Sequence, residues 1–142
     1  MKENKIFDVI IVGGGLAGLT SAIHLSKFNK KVLLIEKNRY PKHKVCGEYI
    51  SNEVLPYINS LGIHPIQEGA KKISKVQIST VKSNLIHGDL PLGGFGMSRY
   101  FLDNLMANKA ISNGVTIVKD FVDSVDFEEE SLKEVYNFVK NK

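Results

Sequence analysis

The chain has 142 residues, 43% hydrophobic and 24% charged, with 19 lysines and arginines against 15 acids and a net charge of +4. This is the composition of one globular domain able to bury a core, and its mild, interleaved charge excludes a nucleic-acid-binding stripe. A single cysteine excludes an internal disulfide framework and suits a reducing, cytoplasmic setting; no apolar run approaches the ~18 residues of a membrane span, and MKENKIFD lacks the apolar core of a signal peptide.

Phe7–Val12 is a β-branched run closed by glycines and reads as a strand buried on both faces. Leu16, Leu19, Ala22, Ile23 and Ser26 then fall at helical spacing, predicting a helix that ends near Asn29. Lys31–Ile35 is a second buried-type strand, so the unit is strand, turn, helix, strand, with the strands parallel. Arg39–Gly47 is a loop, and the basic residues Lys37, Arg39, Lys42 and Lys44 make the only local charge cluster, either solvated or placed near an anionic ligand. Ser51 can cap a short helix that runs to about Leu61 and stops at Gly62.

Farther on, Ile73–Val81 reads as a strand turned by Lys82-Ser83-Asn84 into Leu85–His87, a hairpin outside the parallel core. PLGGFGMS reads as a glycine-rich loop. Ser98 caps a second long helix striped by Leu102, Leu105, Met106 and Ala110, and Gly114 ends it. Val115–Val118 is a third buried-type strand and Phe121–Phe127 a further one. Glu128–Lys140 is expected to be helical, with Leu132, Val135, Tyr136 and Val139 as its apolar stripe.

The chemistry is concentrated in Gly13-Gly14-Gly15-Leu16-Ala17-Gly18, which fits G-x-G-x-x-G between a strand and a helix. Gly13 allows a sharp turn, Gly15 lets a pyrophosphate approach the backbone, and Gly18 lets the helix pack close to the strand. The helix start then offers N–H groups and a positive dipole end to the phosphates. Glu36 ends the second strand about 20 residues on, where a carboxylate grips a ribose hydroxyl and repels a 2′-phosphate, with Lys37 next to it. The expected class is α/β, a Rossmann-like dinucleotide-binding domain with a parallel sheet and a peripheral hairpin. The fingerprint alone leaves FAD and NAD open. His24, His43, His64 and His87 have neither metal-ligand nor triad spacing, and no metal site is expected.

Three stretches resemble FAD-dependent oxidoreductases of the geranylgeranyl reductase and aromatic-ring hydroxylase type. They are DVIIVGGGLAGLTSAIHLSK with VLLIEK, then KVCGEYISNEVLPYINSLGI, then GMSRYFLDNLMANKAISNGVTI. The resemblance implies FAD as cofactor, with the glycines, Leu16 and Ala17 at the pyrophosphate and Glu36 and Lys37 at the adenosine. It implies Cys46 and Gly47 along the flavin side, Arg99 reaching the cofactor from its helix start, and the backbone at Val122 bordering the adenine. A cation in a first helical turn is unfavourable without an anionic partner, which agrees with that role for Arg99. Cys46 is the only candidate for a redox role; otherwise it is a small, partly buried side chain.

Full-length members of that family continue with a Gly-Asp flavin-contacting motif and a substrate domain, neither visible here, and Gly88-Asp89 lies in the wrong context. Residues 1–142 are therefore expected to form a single, partial, truncated FAD-binding domain whose tail reads as helix where the resemblance expects strand. The expected function is flavin-mediated redox of a small, apolar or isoprenoid substrate, with NAD(P)H as a candidate electron donor. The alternatives are a non-catalytic adenine-nucleotide-binding module and an NAD-dependent enzyme. An incompletely covered sheet edge also allows self-association.

Overall fold

Val9-Ile10-Ile11-Val12 forms β1, and its four residues pair in parallel register with Val32–Ile35 of β2 (Val32–Glu36). The chain reaches β2 through α1 (Leu16–Ser26), whose Leu19, Ala22 and Ile23 are buried. The computed structural model describes residues 6–82, 84–128 and 131–137. β3 (Tyr49–Ser51) is followed by a 3₁₀ turn (Asn52–Val54) capped by the Ser51 side chain, then α2 (Leu55–Ser60). β4 (Lys71–Ser79) and β5 (Leu85–Gly96) lead to α3 (Arg99–Ser112), β6 (Thr116–Lys119), β7 (Val122–Glu128) and β8 (Ser131–Asn137).

Three sheets result. The parallel sheet has the order β1-β2-β6, the antiparallel sheet β3-β5-β4, and β7 pairs with β8 as a hairpin. The class is α/β, as expected. The core lies where α1 and α3 pack together over β2: Leu19, Ala22 and Ile23 meet Leu102, Met106, Ala107 and Ala110, with Val32 and Leu34 beneath and Phe95 and Met97 closing one end. Burying such side chains stabilises by roughly 1.5–3 kcal/mol each. Among the described residues, no helix is long and apolar enough to cross a membrane.

The structure corrects four expectations. Only β2 is a largely buried parallel strand, all but Leu33 being buried; β1 and β6 are half-buried because each lies at an edge of the described three-stranded sheet, and Val12 is exposed. α1 stops at Ser26 rather than near Asn29, and Asn29 closes the following turn at φ +57°.

The glycine-rich segment PLGGFGMS is not a loop over most of its length, because β5 runs through to Gly96 as the central strand between β3 and β4. The glycines are accommodated by close neighbours: a Cβ at Gly94 would fall 2.3 Å from the Tyr49 ring. Finally, the expected C-terminal helix is the strand β8, with Val135 opposite Val125 and Tyr136 opposite Ser124. Apolar positions at helical spacing here include β-branched and aromatic residues, which a pairing partner draws into a strand. The Ser83 position of the hairpin turn, and residues 129–130 and 138–142 of the expected helix, lie outside the described residues.

Candidate functional site

β1 ends in a turn that only glycine makes easily: Gly13 adopts φ +100° while its N–H donates to the Ile35 carbonyl at 2.8 Å. Gly18 sits in the first turn of α1, where a Cβ would lie 1.9 Å from the Gly13 oxygen and 3.3 Å from Ile11 Cγ2. Its lack of a side chain sets how closely the helix approaches the strand. Gly15, the N-cap, is different: it has an ordinary φ of −78°, and a Cβ there would meet nothing within 4 Å. No side chain caps α1, so the N–H groups of its first turn point toward that open space.

Glu36 closes the other side. It is the last residue of β2 and only 6% exposed. Oε2 accepts the Gly14 N–H at 2.8 Å, Oε1 accepts the Asn38 N–H at 2.9 Å, and Lys42 Nζ lies 2.6 Å from Oε1. Burial pushes this carboxyl up, but the Lys42 ammonium and the Asn38 and Gly14 N–H groups outweigh it and hold it below its usual range. The acid at the edge of the glycine turn is thus an anion at neutral pH.

Gly13, Glu36, Lys37 and Val122 line one cavity of about 160 Å³ together with Val12, Ile35, Asp120 and Phe121. That is below the ~300–1,000 Å³ of a pocket enclosing a whole drug-sized ligand, so it can take part of a dinucleotide rather than all of it. The chain folds this way because β2 and β6 pair in register to Glu36 and Lys119, after which the Asp120 N–H donates to the Glu36 carbonyl and turns the backbone toward Val122.

The remaining expected residues form a second neighbourhood. Arg99 grips Asp103, one turn along α3, through Nε at 2.7 Å and Nη2 at 2.9 Å, and Asp103 is fully buried. The anion that makes a cation tolerable in the first turn of this helix is therefore supplied by the helix itself. That pairing holds the Arg99 guanidinium above its ordinary value against the opposing effect of burial, with Cys46 as a further contributor. Cys46 is exposed rather than partly buried, and accepts the Glu48 N–H at 3.4 Å. Gly47 likewise faces open space. Ala17 is exposed on the first turn of α1, while Leu16 packs against the core.

Two residues of the loop after β2 hold the first neighbourhood together. The Tyr40 hydroxyl donates to the Gly14 carbonyl, and Lys42 binds Glu36. Their neighbour His43 stacks on Tyr100 of α3 with ring centroids 4.6 Å apart. Lys42 belongs to the basic cluster visible in the sequence, but its partner is Glu36, a carboxylate of the chain itself rather than a ligand. For Asp103 the available signal was its i,i+4 spacing from Arg99.

The model of the FAD-dependent oxidoreductase family matches residues 8–45, which hold the glycine turn, α1, β2 and the loop as far as Val45. The chain is 29% identical over 129 residues to the 1H-pyrrole-2-carbonyl-[peptidyl-carrier protein] brominase of Pseudoalteromonas luteoviolacea, covering 86% of this chain and 32% of that protein. It is 30% identical over 139 residues to the digeranylgeranylglycerophospholipid reductase of Methanococcus vannielii, covering 95% of this chain and 33% of that protein. The chain is thus similar to FAD-dependent oxidoreductases. Their fold is shared as well: a geranylgeranyl bacteriochlorophyll reductase-like protein from Thermoplasma acidophilum superimposes with a TM-score of 0.76 at 24% identity, over 96% of this chain and 36% of that one. The chain spans about a third of the length of these curated relatives.

FAD is the cofactor of these oxidoreductases, and the residues present fit its adenosine diphosphate half. The open ground at Gly13 and Gly15, the uncapped helix start and the charged Glu36 are what a pyrophosphate and a ribose need.

Proposed function

We propose that this chain is the FAD-binding front part of a flavin-dependent oxidoreductase, and that residues 1–142 act as one partial dinucleotide-binding domain. The observation that carries the reading is the convergence of Gly13, ionised Glu36 and Val122 on one cavity at the end of the parallel sheet, with the uncapped helix start at Gly15 two residues on from Gly13. The N–H groups after Gly15 hold the pyrophosphate, Glu36 accepts from the ribose, and the backbone at Phe121 and Val122 borders the adenine. When bound, FAD supplies the hydride or oxygen chemistry; the protein's part is to orient it. Arg99, kept charged and immobile by Asp103, and exposed Cys46 and Gly47 form the side toward the flavin.

The substrate we favour is an apolar isoprenoid, because the segment KVCGEYISNEVLPYINSLGI resembles the reductase branch and a relative of 30% identity is named for such a reaction. NAD(P)H is the proposed electron donor. The lone cysteine, with no partner in the chain for a disulfide, supports a cytoplasmic setting.

The test is a titration of the purified chain with FAD, ADP and NAD, repeated with Gly15→Val. The substitution suits φ −78° and meets no neighbour, so folding persists while the phosphate approach is blocked. Binding of FAD, lost in Gly15→Val, supports the reading. ADP bound as tightly as FAD means that this chain holds only the adenosine half. A folded sample that binds none of the three overturns it.

A further inference from the structure

Glu36 has a nearly complete set of hydrogen-bond partners before any nucleotide arrives. A carboxylate offers about four acceptor positions, two on each oxygen. Oε1 holds both the Asn38 N–H and the Lys42 ammonium, whereas among the described residues Oε2 holds the Gly14 N–H alone. One position on Oε2 is left for a hydroxyl donor.

Lys42 is not a loose surface lysine. Its side chain is 15% exposed, its ammonium is 2.6 Å from Oε1, and it lies 5.2 Å from the centroid of the Tyr40 ring. Tyr40 is in turn fastened to the Gly14 carbonyl, and a side chain at Gly14 would collide with the Tyr40 hydroxyl. The loop therefore grips the glycine turn and the acid at once, one through an uncharged hydroxyl and the other through a charge.

We propose that Lys42 is a positioning residue for nucleotide binding: its ammonium occupies Glu36 Oε1, so that Oε2 is the oxygen presented to the ribose. The role rests on the nucleotide-binding reading above and goes beyond it, since Lys42 acts through Glu36. A charge-assisted bond of this kind also fixes the rotamer of a side chain that would otherwise be free to turn.

The pH dependence follows from the charges around Glu36. From the loop it faces Lys42, Tyr40 and the Asn38 N–H; from the glycine turn, the Gly14 N–H; from β6 and beyond, Lys119 in register and Asp120; and Lys37 adjoins it in the cavity. Removing the Lys42 ammonium leaves the opposing effect of burial in place, so the carboxyl of the variant protonates at higher pH than that of the wild type.

The experiment is calorimetric titration of the full chain with ADP, for wild type, Lys42→Met, Lys42→Arg, Glu36→Gln and the double variant Lys42→Met/Glu36→Gln. Circular dichroism confirms folding, and Lys42→Gln replaces Lys42→Met if the latter does not fold. Loss of the ammonium is expected to weaken ADP binding about 3- to 10-fold near neutral pH and more at about pH 5.5, with Lys42→Arg restoring most of it. On the Glu36→Gln background the same substitution is expected to add nothing. Equal ADP binding by wild type and Lys42→Met at both pH values overturns the role while leaving the nucleotide site standing. An undiminished effect of Lys42→Met in the Glu36→Gln background also overturns it, because the lysine would then be holding the loop rather than the acid. Failure of the wild type to bind ADP overturns the role of Lys42, and the nucleotide-binding reading falls with it only if FAD and NAD are not bound either.

Discussion

The backbone N–H of Gly14 and the carboxylate of Glu36 are joined across 2.8 Å, so the glycine turn after β1 and the acid at the end of β2 form one hydrogen-bonded unit. Their separation by 22 residues is bridged by α1, whose position depends on Gly18. Anything that moves the helix therefore moves the acid relative to the turn.

Gly18→Ala is expected to destabilise the fold by about 1–3 kcal/mol, as overpacking typically does. The added Cβ would stand 1.9 Å from a backbone oxygen of Gly13, which has no rotamer by which to escape. Urea denaturation measures the loss, and ADP affinity should fall with it because the turn is displaced.

Asp103→Ala should be costlier, about 3–5 kcal/mol, since it leaves the Arg99 guanidinium without its partner in a largely buried place. Replacing both residues, as Arg99→Met/Asp103→Leu, should restore part of the loss. A double-mutant cycle in denaturant reads this directly.

Glu36 ties stability to pH. Its folded carboxyl lies below the unfolded value of about 4.3, so its contribution is fully present above that pH and is lost as pH falls through the folded value. The difference in melting temperature between wild type and Glu36→Gln should be constant near neutrality and shrink progressively below about pH 4.3. A difference that persisted unchanged into acid would assign the stabilisation to shape rather than charge.

Ser98→Ala removes the side chain that accepts the Phe101 N–H at the start of α3. The expected cost is about 1 kcal/mol. ADP binding should be unaffected, which makes this variant a control for the others.

What the sequence revealed, and what it concealed, follows from the range of each interaction. The G-x-G-x-x-G turn, the parallel strands, the Ser98 cap and the stop at Gly114 obey local rules, so each could be located from neighbouring residues alone. β5 was hidden because glycines read as a break, whereas Gly94 and Gly96 lie opposite Ser51 and Tyr49 in the centre of a sheet. β8 was hidden because its apolar spacing also suits a helix, and pairing with β7 decides the matter. The contacts of Tyr40 and Lys42 were not legible in the sequence because the groups they hold, Gly14 and Glu36, become neighbours only after β1 and β2 align.

Because β2 is the strand shared by β1 and β6, the parallel sheet has a natural order of assembly. Its first pairing closes only α1 and the glycine turn, and the contacts of Gly14 with Glu36 and Tyr40 span 22 and 26 residues. Its second must recruit residues beyond Val115, across the whole antiparallel sheet and α3. Short-range contacts form faster than long-range ones. The glycine turn, its acid and the Tyr40 contact should thus be organised early in folding, with β6 arriving late to complete the parallel sheet.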